Sequence, residues 1–402
     1  MPRTVTSSER TTGNFDDRDP PVKRREFLDT GARLAAVSAL GVPRIAAQST
    51  RPDRRFGVAI VGIGSFAQYV LGRIRACRHA RVAALVTGSP ATGRRLAEAH
   101  GVPATRLYSY DTFGRLADAD DVHGVYIALP VGLHAEYAER ALGMGKHVLM
   151  EKTMTATVAE GRAMIAAARA ARRTLMVAYR ARFDPFNREA IRIARERELG
   201  ELVSISAHKG VPHWRRTRRG TMAHAALARR WRSARRHWHL RVQACRYLAG
   251  DDPVAVTAIA RGTPNDDRFR EVEEDIAWTL RFPNGILASC TASWRYALQN
   301  RYRAVFTDGW VELEPATSNG NVRLRVGRGN RGDVVEERCL PQVDQIPLMF
   351  DHFAESASSG TVPLTPGEEG VRDLEVMASI YEAAHSGRVV RPPKHAEPQP
   401  GR

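Results

Sequence analysis

The chain has 402 residues, of which 43% are hydrophobic, and this is enough to build two domains with separate cores. The longest uncharged apolar stretch, residues 34–43, is about half the roughly 20 residues that a membrane-spanning helix needs, so no membrane span is expected. The four cysteines stand far apart and there is no H-E-x-x-H motif, so the sequence indicates neither a metal site nor a disulfide framework.

The formal net charge of +17 raises the question of nucleic-acid binding. Ten of the 61 basic residues lie between Trp214 and Arg241, a stretch that contains no acidic residue. The remaining 51 basic and 44 acidic residues come much closer to balance. Because the excess is local, the sequence disfavours nucleic acid as a general partner of this protein.

The N-terminus has the pattern of an export signal. Arg24-Arg25 precede a weakly apolar run, residues 31–42, and a small-residue cleavage site at Ala46-Ala47. This order is typical of a twin-arginine signal peptide, and an amphipathic first helix is the alternative. We therefore expect a signal peptide over residues 1–47, a linker or arm over 48–55, and a periplasmic location.

A glycine turn follows the first apolar β-type run, residues 56–61. Gly62 permits the tight turn, Gly64 leaves room for a pyrophosphate, and Ala67 lets the following helix, residues 68–75, pack closely on the strand. The pattern predicts a dinucleotide site. The predicted contacts here are Gly62, Gly64, Ser65, Phe66 and Ala67.

Strand and helix patterns then alternate as far as residue 179. Strands are predicted at 80–87, 124–128, 147–151 and 174–179, and helices at 91–100, 133–145 and 158–172. Such alternation predicts a doubly wound parallel sheet, so we assign residues 56–179 to an N-terminal Rossmann domain.

The end of the second strand indicates which dinucleotide binds. Thr87-Gly88-Ser89 stand where an acidic residue would bind the ribose hydroxyl of NAD, and Arg94 and Arg95 follow one helical turn later. The absence of a carboxylate and the presence of guanidinium groups favour NADP over NAD. The predicted contacts are Thr87, Ser89 and Arg94; the alternative is that both arginines are solvated helix surface.

Residues 180–390 have the pattern of a second, α+β domain. A helix is predicted at 184–198, strands at 201–206, 254–260, 275–282, 285–293, 302–307, 310–313 and 322–326, and closing helices at 351–357 and 368–386. Turn signals at 282–285 and 308–309 join neighbouring antiparallel strands. The fold class is therefore α/β: a doubly wound Rossmann domain, then a domain with an open, mainly antiparallel sheet, then a Pro-rich flexible tail over 391–402.

Several motifs share one order and spacing with a known family. Ile127–His134 matches A-T-P-N-x-x-H with two changes, and Gly145–Thr153 matches G-K-H-V-L-x-E-K-P up to its last residue. Further matches are the glycine turn, Ala178–Pro185, Trp214-Arg215, residues 243–248 and Pro366–Gly370. On these motifs the chain, from residue 56 to about 392, resembles the glucose-fructose oxidoreductase/inositol dehydrogenase (Gfo/Idh/MocA) family, and within it the exported glucose-fructose oxidoreductase branch.

The resemblance implies an NADP-dependent oxidoreductase acting on sugars or polyols. It places Lys152 beside the nicotinamide as a catalytic residue, with Tyr179 as a second one. It also implies cofactor contacts from Leu129, Pro130, His134, Glu151, Lys152, Arg180, Trp214 and Arg215. The alternative reading of Lys152 is a solvated lysine at a strand end, and that of Tyr179 and Arg180 is core packing or an ion pair.

Two further properties follow from the resemblance and the export signal. An enzyme exported in the folded state would carry its NADP with it and regenerate it in place, oxidising one sugar and reducing another. The open face of the second sheet would associate with other subunits, giving a homo-oligomer.

The family has a cis proline after its lysine, whereas this chain has Thr153. A cis bond before threonine costs about 3–4 kcal/mol, so the sequence does not decide whether the Lys152–Thr153 bond is cis or trans.

Residues 216–241 depart from the family. The relatives have G-G-G and then D-x-G-x-Y or D-x-G-x-H, whereas this chain has Arg229-Arg230-Trp231 and the run 236–240. Read one base later, codons for these residues allow Gly-Gly-Gly and Asp-Ile-Gly-Ile-Tyr. We hypothesise that this stretch is translated out of frame; a basic polyanion-binding patch and an unusual native surface helix are the alternatives. As written, the missing Asp and Tyr also permit a non-catalytic NADP- and sugar-binding protein.

Overall fold

A computed structural model describes residues 53–210, 235–263, 269, 273–296, 299–329 and 334–395 of the chain. The side chains of residues 235–238 are not part of this description. Several predictions fall outside the described residues: the signal peptide over 1–47, most of the linker, Trp214, Arg215, most of the arginine-rich stretch and the end of the tail.

A six-stranded parallel sheet forms the N-terminal domain. Its strands are Phe56–Val61 (β1), Ala80–Val86 (β2), Leu107–Tyr108 (β3), Gly124–Ile127 (β4), His147–Met150 (β5) and Leu175–Val177 (β6). The helices that connect them are Ser65–Ile74 (α1), Pro90–His100 (α2), His134–Gly143 (α3) and Val158–Ala171 (α4). The strand order is β3-β2-β1-β4-β5-β6, as in a Rossmann fold, so the predicted fold of this domain is confirmed.

This strand order determines where a ligand can bind. The chain runs outward from β1 through β2 to β3, and then returns to β4 on the other side of β1. A crevice opens at the carboxyl ends of the strands where the direction reverses, between β1 and β4. The residues that follow β1, β4 and β5 therefore meet at this edge.

The second domain is built on an eight-stranded sheet. Its strands are Leu202–Gly210 (β7), Ala255–Arg261 (β8), Asp275–Arg281 (β9), Leu287–Ser293 (β10), Gln299–Phe306 (β11), Gly309–Glu314 (β12), Arg323–Arg328 (β13) and Val334–Arg338 (β14). The order is β14-β13-β12-β11-β7-β10-β9-β8, in which only the β7–β10 pair is parallel. The predicted open, mainly antiparallel sheet is confirmed.

Helices cover one face of this sheet. They are Pro185–Arg195 (α5), Arg235–Ala249 (α6) and Gly367–Ser386 (α8). The remaining helix of this half of the chain is Gln345–Ser359 (α7). Residues alternate along the strands, so that Ile276, Trp278 and Leu280 of β9 are buried while the intervening residues are exposed. On the uncovered face Ile259 is 78% exposed and Leu287 is 50% exposed.

Helix α7 belongs to the second half of the chain but packs on the Rossmann domain. Its Phe350 ring lies 5.1 Å from that of Tyr126, and its Phe353 ring lies 5.6 Å from that of Phe56. These side chains share one buried cluster with β1 and α1. Helix α7 therefore completes the core of the Rossmann domain, while the residues packed under the eight-stranded sheet form a separate buried cluster.

None of the helices in the described ranges is both long and apolar enough to cross a bilayer. In the same ranges no three His, Cys, Asp or Glu side chains are grouped as metal ligands would be.

Candidate active site

The glycine turn lies at the carboxyl end of β1. Gly62 has φ +85°, and a Cβ on this residue would lie 2.7 Å from Cδ2 of Leu129, so both conformation and space require glycine. A Cβ on Gly64 would meet no heavy atom within 4 Å, because this residue borders open space. Helix α1 begins at once with Ser65 and Phe66, both exposed, so its free amide groups face the crevice.

The end of β2 offers hydroxyl groups and a cation but no carboxylate. Oγ1 of the buried Thr87 accepts a hydrogen bond of 3.1 Å from the backbone amide of Ser89. Ser89 Oγ lies 3.0 Å from Thr92 Oγ1. Arg94 is exposed on α2 and no carboxylate of a described residue pairs with it. This edge of the crevice therefore carries an unpaired positive charge.

The loops after β4 and β5 are joined by one buried histidine. The ring nitrogens of His134 lie 2.9 Å from the carbonyl oxygen of Leu129 and 3.0 Å from that of Thr153. Leu129 is buried and Pro130 is exposed. The prediction made His134 a cofactor contact, but its side chain is fully buried. The structure therefore places it behind the crevice, where it fixes the two loops that line it.

Lys152 follows β5 directly and is half-buried. The carboxylate of the buried Glu151 accepts a 2.7 Å hydrogen bond from the hydroxyl of Tyr126 and a 3.1 Å bond from the backbone amide of Lys152. The Lys152–Thr153 peptide bond, which the sequence left open, is cis. Glu151 thus acts as a fixed anchor for the backbone that presents Lys152 at the carboxyl edge of the sheet.

Tyr179 and Arg180 lie after β6, and neither points freely into the crevice. Tyr179 is 1% exposed, and its hydroxyl lies beside the carboxylate of Asp373 on α8. Burial, with the charge of Asp373, raises the pKa of Tyr179 well above its ordinary value, so its hydroxyl keeps its proton. Arg180 donates hydrogen bonds of 2.5 Å to Gln345 Oε1 and 2.7 Å to the carbonyl oxygen of Thr317.

These contacts correct the role predicted for Tyr179. A catalytic hydroxyl must reach the substrate, whereas this one is enclosed and already engaged by Asp373. Tyr179 therefore acts as a positioning residue at the end of β6. Arg180 ties the same segment to the second domain through Gln345 and Thr317, so its surroundings favour the packing alternative over a contact with the cofactor.

The helix that should carry the remaining catalytic groups is α6. Its described side chains include His239, whose ring centroid lies 6.1 Å from that of Tyr179, and the fully buried Arg241. Arg241 Nη2 hydrogen-bonds Asn300 and Thr317, but Nε and Nη1 find no partner among the described residues. Burial lowers the pKa of Arg241 to about 10. Burying a charged guanidinium group with unpaired donors costs folding free energy, and such a cost is expected where the sequence does not fit the fold.

Lys209 is a site residue that the sequence reasoning missed. It is the penultimate residue of β7 and lies on the same face as the buried Ile205 and Ala207. Burial, followed by the charges of Arg241, Lys152 and Arg180, lowers the pKa of Lys209 to about 7. The available signal was the two-residue period of β7, which places a lysine at an inward-facing position.

The crevice has the features that an NADP molecule requires. Gly64 borders open space, the first amides of α1 are uncapped by any side chain, and Arg94 lies at the end of β2. The glycine turn with Ser65, Phe66 and Ala67 would hold the pyrophosphate, and Thr87, Ser89 and Arg94 would hold the phosphorylated ribose. Leu129 and Pro130 would lie along the cofactor toward Lys152.

Comparison with protein families divides the chain as the fold does. The sequence model of an oxidoreductase family with an NAD-binding Rossmann fold, GFO/IDH/MocA, matches residues 56–179. The C-terminal domain model of the same family matches residues 187–312.

Individual relatives agree with this match. The NADP-dependent D-xylose 1-dehydrogenase of Haloarcula marismortui is 30% identical over 70% of this chain and 78% of its own length. A second NADP-dependent D-xylose 1-dehydrogenase, from Haloferax volcanii, is 28% identical over 83% of this chain and 97% of its own. The crystal structure of aldose-aldose oxidoreductase from Caulobacter crescentus is 37% identical, with a TM-score of 0.76, over 84% of this chain and all of that one. The chain belongs to the GFO/IDH/MocA family of NAD(P)-dependent oxidoreductases, which act on CH–OH groups.

Proposed function

We propose that this protein transfers hydride between NADP and a sugar. The observation that carries the proposal is Lys152, which the buried Glu151 holds at the carboxyl edge of the Rossmann sheet, the same edge at which the crevice beginning at Gly64 opens. A lysine held there can hydrogen-bond a sugar hydroxyl and stabilise the negative charge that develops on its oxygen. The nicotinamide, when bound, accepts the hydride from the adjacent carbon.

NADP rather than NAD is the proposed cofactor. The end of β2 has no carboxylate to repel a 2′-phosphate, and Arg94 is available to pair with one. The two D-xylose 1-dehydrogenases among the relatives are NADP enzymes, which supports this choice. NAD is the weaker fit, because residues 87–89 include no carboxylate that could bind its free 2′-hydroxyl.

Among these relatives, the aldose-aldose oxidoreductase is consistent with an exported enzyme, because its name describes exchange between two sugars. An enzyme that keeps its NADP and uses one aldose to reduce another needs no external cofactor. We infer the same for this chain, as in glucose-fructose oxidoreductase, with residues 1–47 directing twin-arginine export to the periplasm. Fusing residues 1–55 to a folded reporter protein tests the proposed export to the periplasm. Retention of the reporter in the cytoplasm would contradict it, and so would export that survives replacement of Arg24-Arg25 by lysines.

A homo-oligomer through the open sheet face is part of the proposal. Ile259, Leu287 and Val305 are exposed on that face, and exposed apolar side chains are common at subunit interfaces. Light scattering that returned the mass of a single chain, at most 44.5 kDa, would contradict it.

The second candidate is a non-catalytic NADP- and sugar-binding protein. The observation that favours it is α6, which presents Leu240 and Arg241 where the family's catalytic Tyr and the residue after it are expected. The Nε and Nη1 atoms of the buried Arg241, which find no partner among the described residues, equally support an out-of-frame stretch over residues 216–241. Resequencing the DNA distinguishes the two, because codons incompatible with glycine at 229–231 exclude the shifted frame.

The experiment that tests the proposal combines cofactor binding with turnover. The purified chain is assayed for bound NADP, then mixed with single aldoses and with pairs while the absorbance of the reduced nicotinamide is followed. We expect NADP to be retained and Lys152→Met to lose at least about 100-fold in any aldose-dependent rate, as a lost electrostatic contact to the reacting oxygen would. Retained cofactor with no response to any aldose favours the binding protein, and no cofactor binding contradicts both candidates.

A further inference from the structure

A second cavity lies at the opposite edge of the Rossmann sheet from the cofactor crevice. Its volume is about 840 Å³, within the range of small-molecule sites. It is lined at the amino ends of β1 and β5 by Phe56 and His147, and from the other domain by the last turns of α7. Strand β1 has six residues, so about 20 Å of extended chain separates this cavity from Gly62.

The charge around this cavity is strongly positive. Five cationic side chains line it, namely Arg54, Arg55, Arg78, Lys146 and Arg173. The only carboxylates in the lining are Asp120 and Glu355, and Glu355 is paired with His79 at 3.1 Å. Arg54 and Arg78 are exposed, and their guanidinium groups make no hydrogen bond or ion pair with a described residue. They are therefore available to a bound anion.

Two imidazoles add neutral donors to the same wall. Nδ1 of His123 accepts a 2.8 Å hydrogen bond from the backbone amide of Gly57, and Nδ1 of His147 accepts one of 3.0 Å from that of Thr174. An accepting Nδ1 leaves the proton on Nε2, which is then a donor. Burial lowers the pKa of His147 to about 4, so this tautomer is the form present at neutral pH.

An aromatic side chain separates the two donors. The Phe56 ring lies 5.1 Å from that of His123 and 5.9 Å from that of His147. Phe56 is itself 8% exposed and packs against Phe353. Both imidazoles are thus held against one packed aromatic ring, which is the preorganisation that anion binding rewards.

We propose that this cavity binds a small phosphorylated molecule, with Arg54, Arg78 and Arg173 contacting the phosphate oxygens and the two imidazoles donating through Nε2. Guanidinium groups match the geometry of phosphate oxygens, and donors that converge from several elements suit a tetrahedral anion. Because the site lies at the amino edge of the sheet, such a ligand would bind together with NADP and not in its place.

The test uses inorganic pyrophosphate as the probe and the full chain saturated with NADP. Isothermal titration at physiological ionic strength should give one pyrophosphate per chain. The variant Arg54→Gln/Arg78→Gln should bind at least about tenfold more weakly, because each lost charged hydrogen bond contributes about that factor. Both residues are exposed and without a described partner, so the melting temperature of the variant should not change.

The matched control is Arg115→Gln/Arg388→Gln, which removes the same charge from exposed positions outside the cavity. It should bind pyrophosphate as the parent does. Equal weakening of pyrophosphate binding in both variants would show that the effect depends on net charge alone, and this would overturn the proposal. So would the absence of binding, tighter binding of citrate than of pyrophosphate, or loss of the pyrophosphate signal on saturation with NADP.

Discussion

Arg94 is the single side chain on which the choice between NADP and NAD most depends. It is exposed one turn into α2, beyond a strand end that has no carboxylate. No carboxylate in the described part of the chain forms an ion pair with Arg94, so its charge is available to a 2′-phosphate.

Replacing Arg94 by alanine should therefore weaken NADP about tenfold, the usual effect of removing one charged hydrogen bond. The affinity for NAD should stay unchanged, because NAD lacks the phosphate. Titrating both dinucleotides against the intrinsic protein fluorescence measures the two effects, and NAD serves as the control. Equal weakening of both dinucleotides would mean that Arg94 supports the fold of α2 instead.

Lys209 gives a prediction about pH at the same scale. Its pKa is lowered to about 7 in the folded chain, whereas an unfolded lysine keeps its proton to about pH 10. Between these values the unfolded state binds the additional proton, so stability should rise with pH. The melting temperature of the parent should increase relative to that of Lys209→Met between about pH 7 and pH 9. Parallel curves for the two proteins would show that Lys209 keeps its proton.

At the scale of elements, α6 and α8 are held together by one buried cation. Arg246 Nη1 lies 2.5 Å from Asp373 and 3.3 Å from Glu369, both on α8, and its Nε lies 2.6 Å from Asp252. Arg246, Glu369 and Asp373 are almost completely buried. Asp373 is also the partner of Tyr179, so this network connects α6 to the end of β6 behind the crevice.

Arg246→Met should destabilise the protein by about 3–5 kcal/mol, because two buried carboxylates would lose their counter-charge. The control is Arg169→Met, which breaks an exposed pair with Glu368 and should cost less than about 1 kcal/mol. Chemical denaturation of the three proteins measures both differences. Similar losses in the two variants would mean that the buried network adds nothing beyond an ordinary surface pair.

The elements also show what the sequence can predict. Long, strongly periodic segments such as α4 and α8 were predicted to within one residue, because a capping box at Thr157 and αL caps at Arg172 and Gly387 mark their ends. Helix α7 begins six residues before the prediction, because Asp344 caps it and Pro347 occupies its first turn. Strand β14 was missed, since its exposed residues show no alternation.

The site was predictable where chemistry depends on local sequence. The glycine turn, the carboxylate-free end of β2 and the Glu151-Lys152 pair are short motifs, and the structure brings them to one edge. The burial of individual side chains could not be predicted from the sequence in the same way. His134 and Tyr179 carry polar groups that the sequence assigns to the crevice, yet both are enclosed by side chains distant in the chain.

For the whole molecule, the question is how the second domain contributes to the cofactor site. The Rossmann sheet supplies the crevice and Lys152, and the second domain brings His239 of α6 near Tyr179 and Lys209 of β7 near Lys152. The resemblance to the family implies that the helix in this position completes the catalytic group. Here the helix offers Arg236 and Leu240 at the positions of the missing Asp and Tyr. Cofactor binding and turnover should therefore be separable in this protein.

The variant Arg236→Asp/Leu240→Tyr restores both family residues on α6 and tests this account most directly. The measurement is the aldose-dependent formation of reduced nicotinamide with NADP bound, compared between the chain as written, the double variant and the double variant with Lys152→Met. We expect the double variant to gain at least about 100-fold in rate, the usual contribution of positioned acid–base groups, and Lys152→Met to abolish the gain. A chain as written that is already as active as the double variant would contradict the role given to these two positions of α6. A gain that survives loss of Lys152 would contradict the assignment of Lys152 as the catalytic residue.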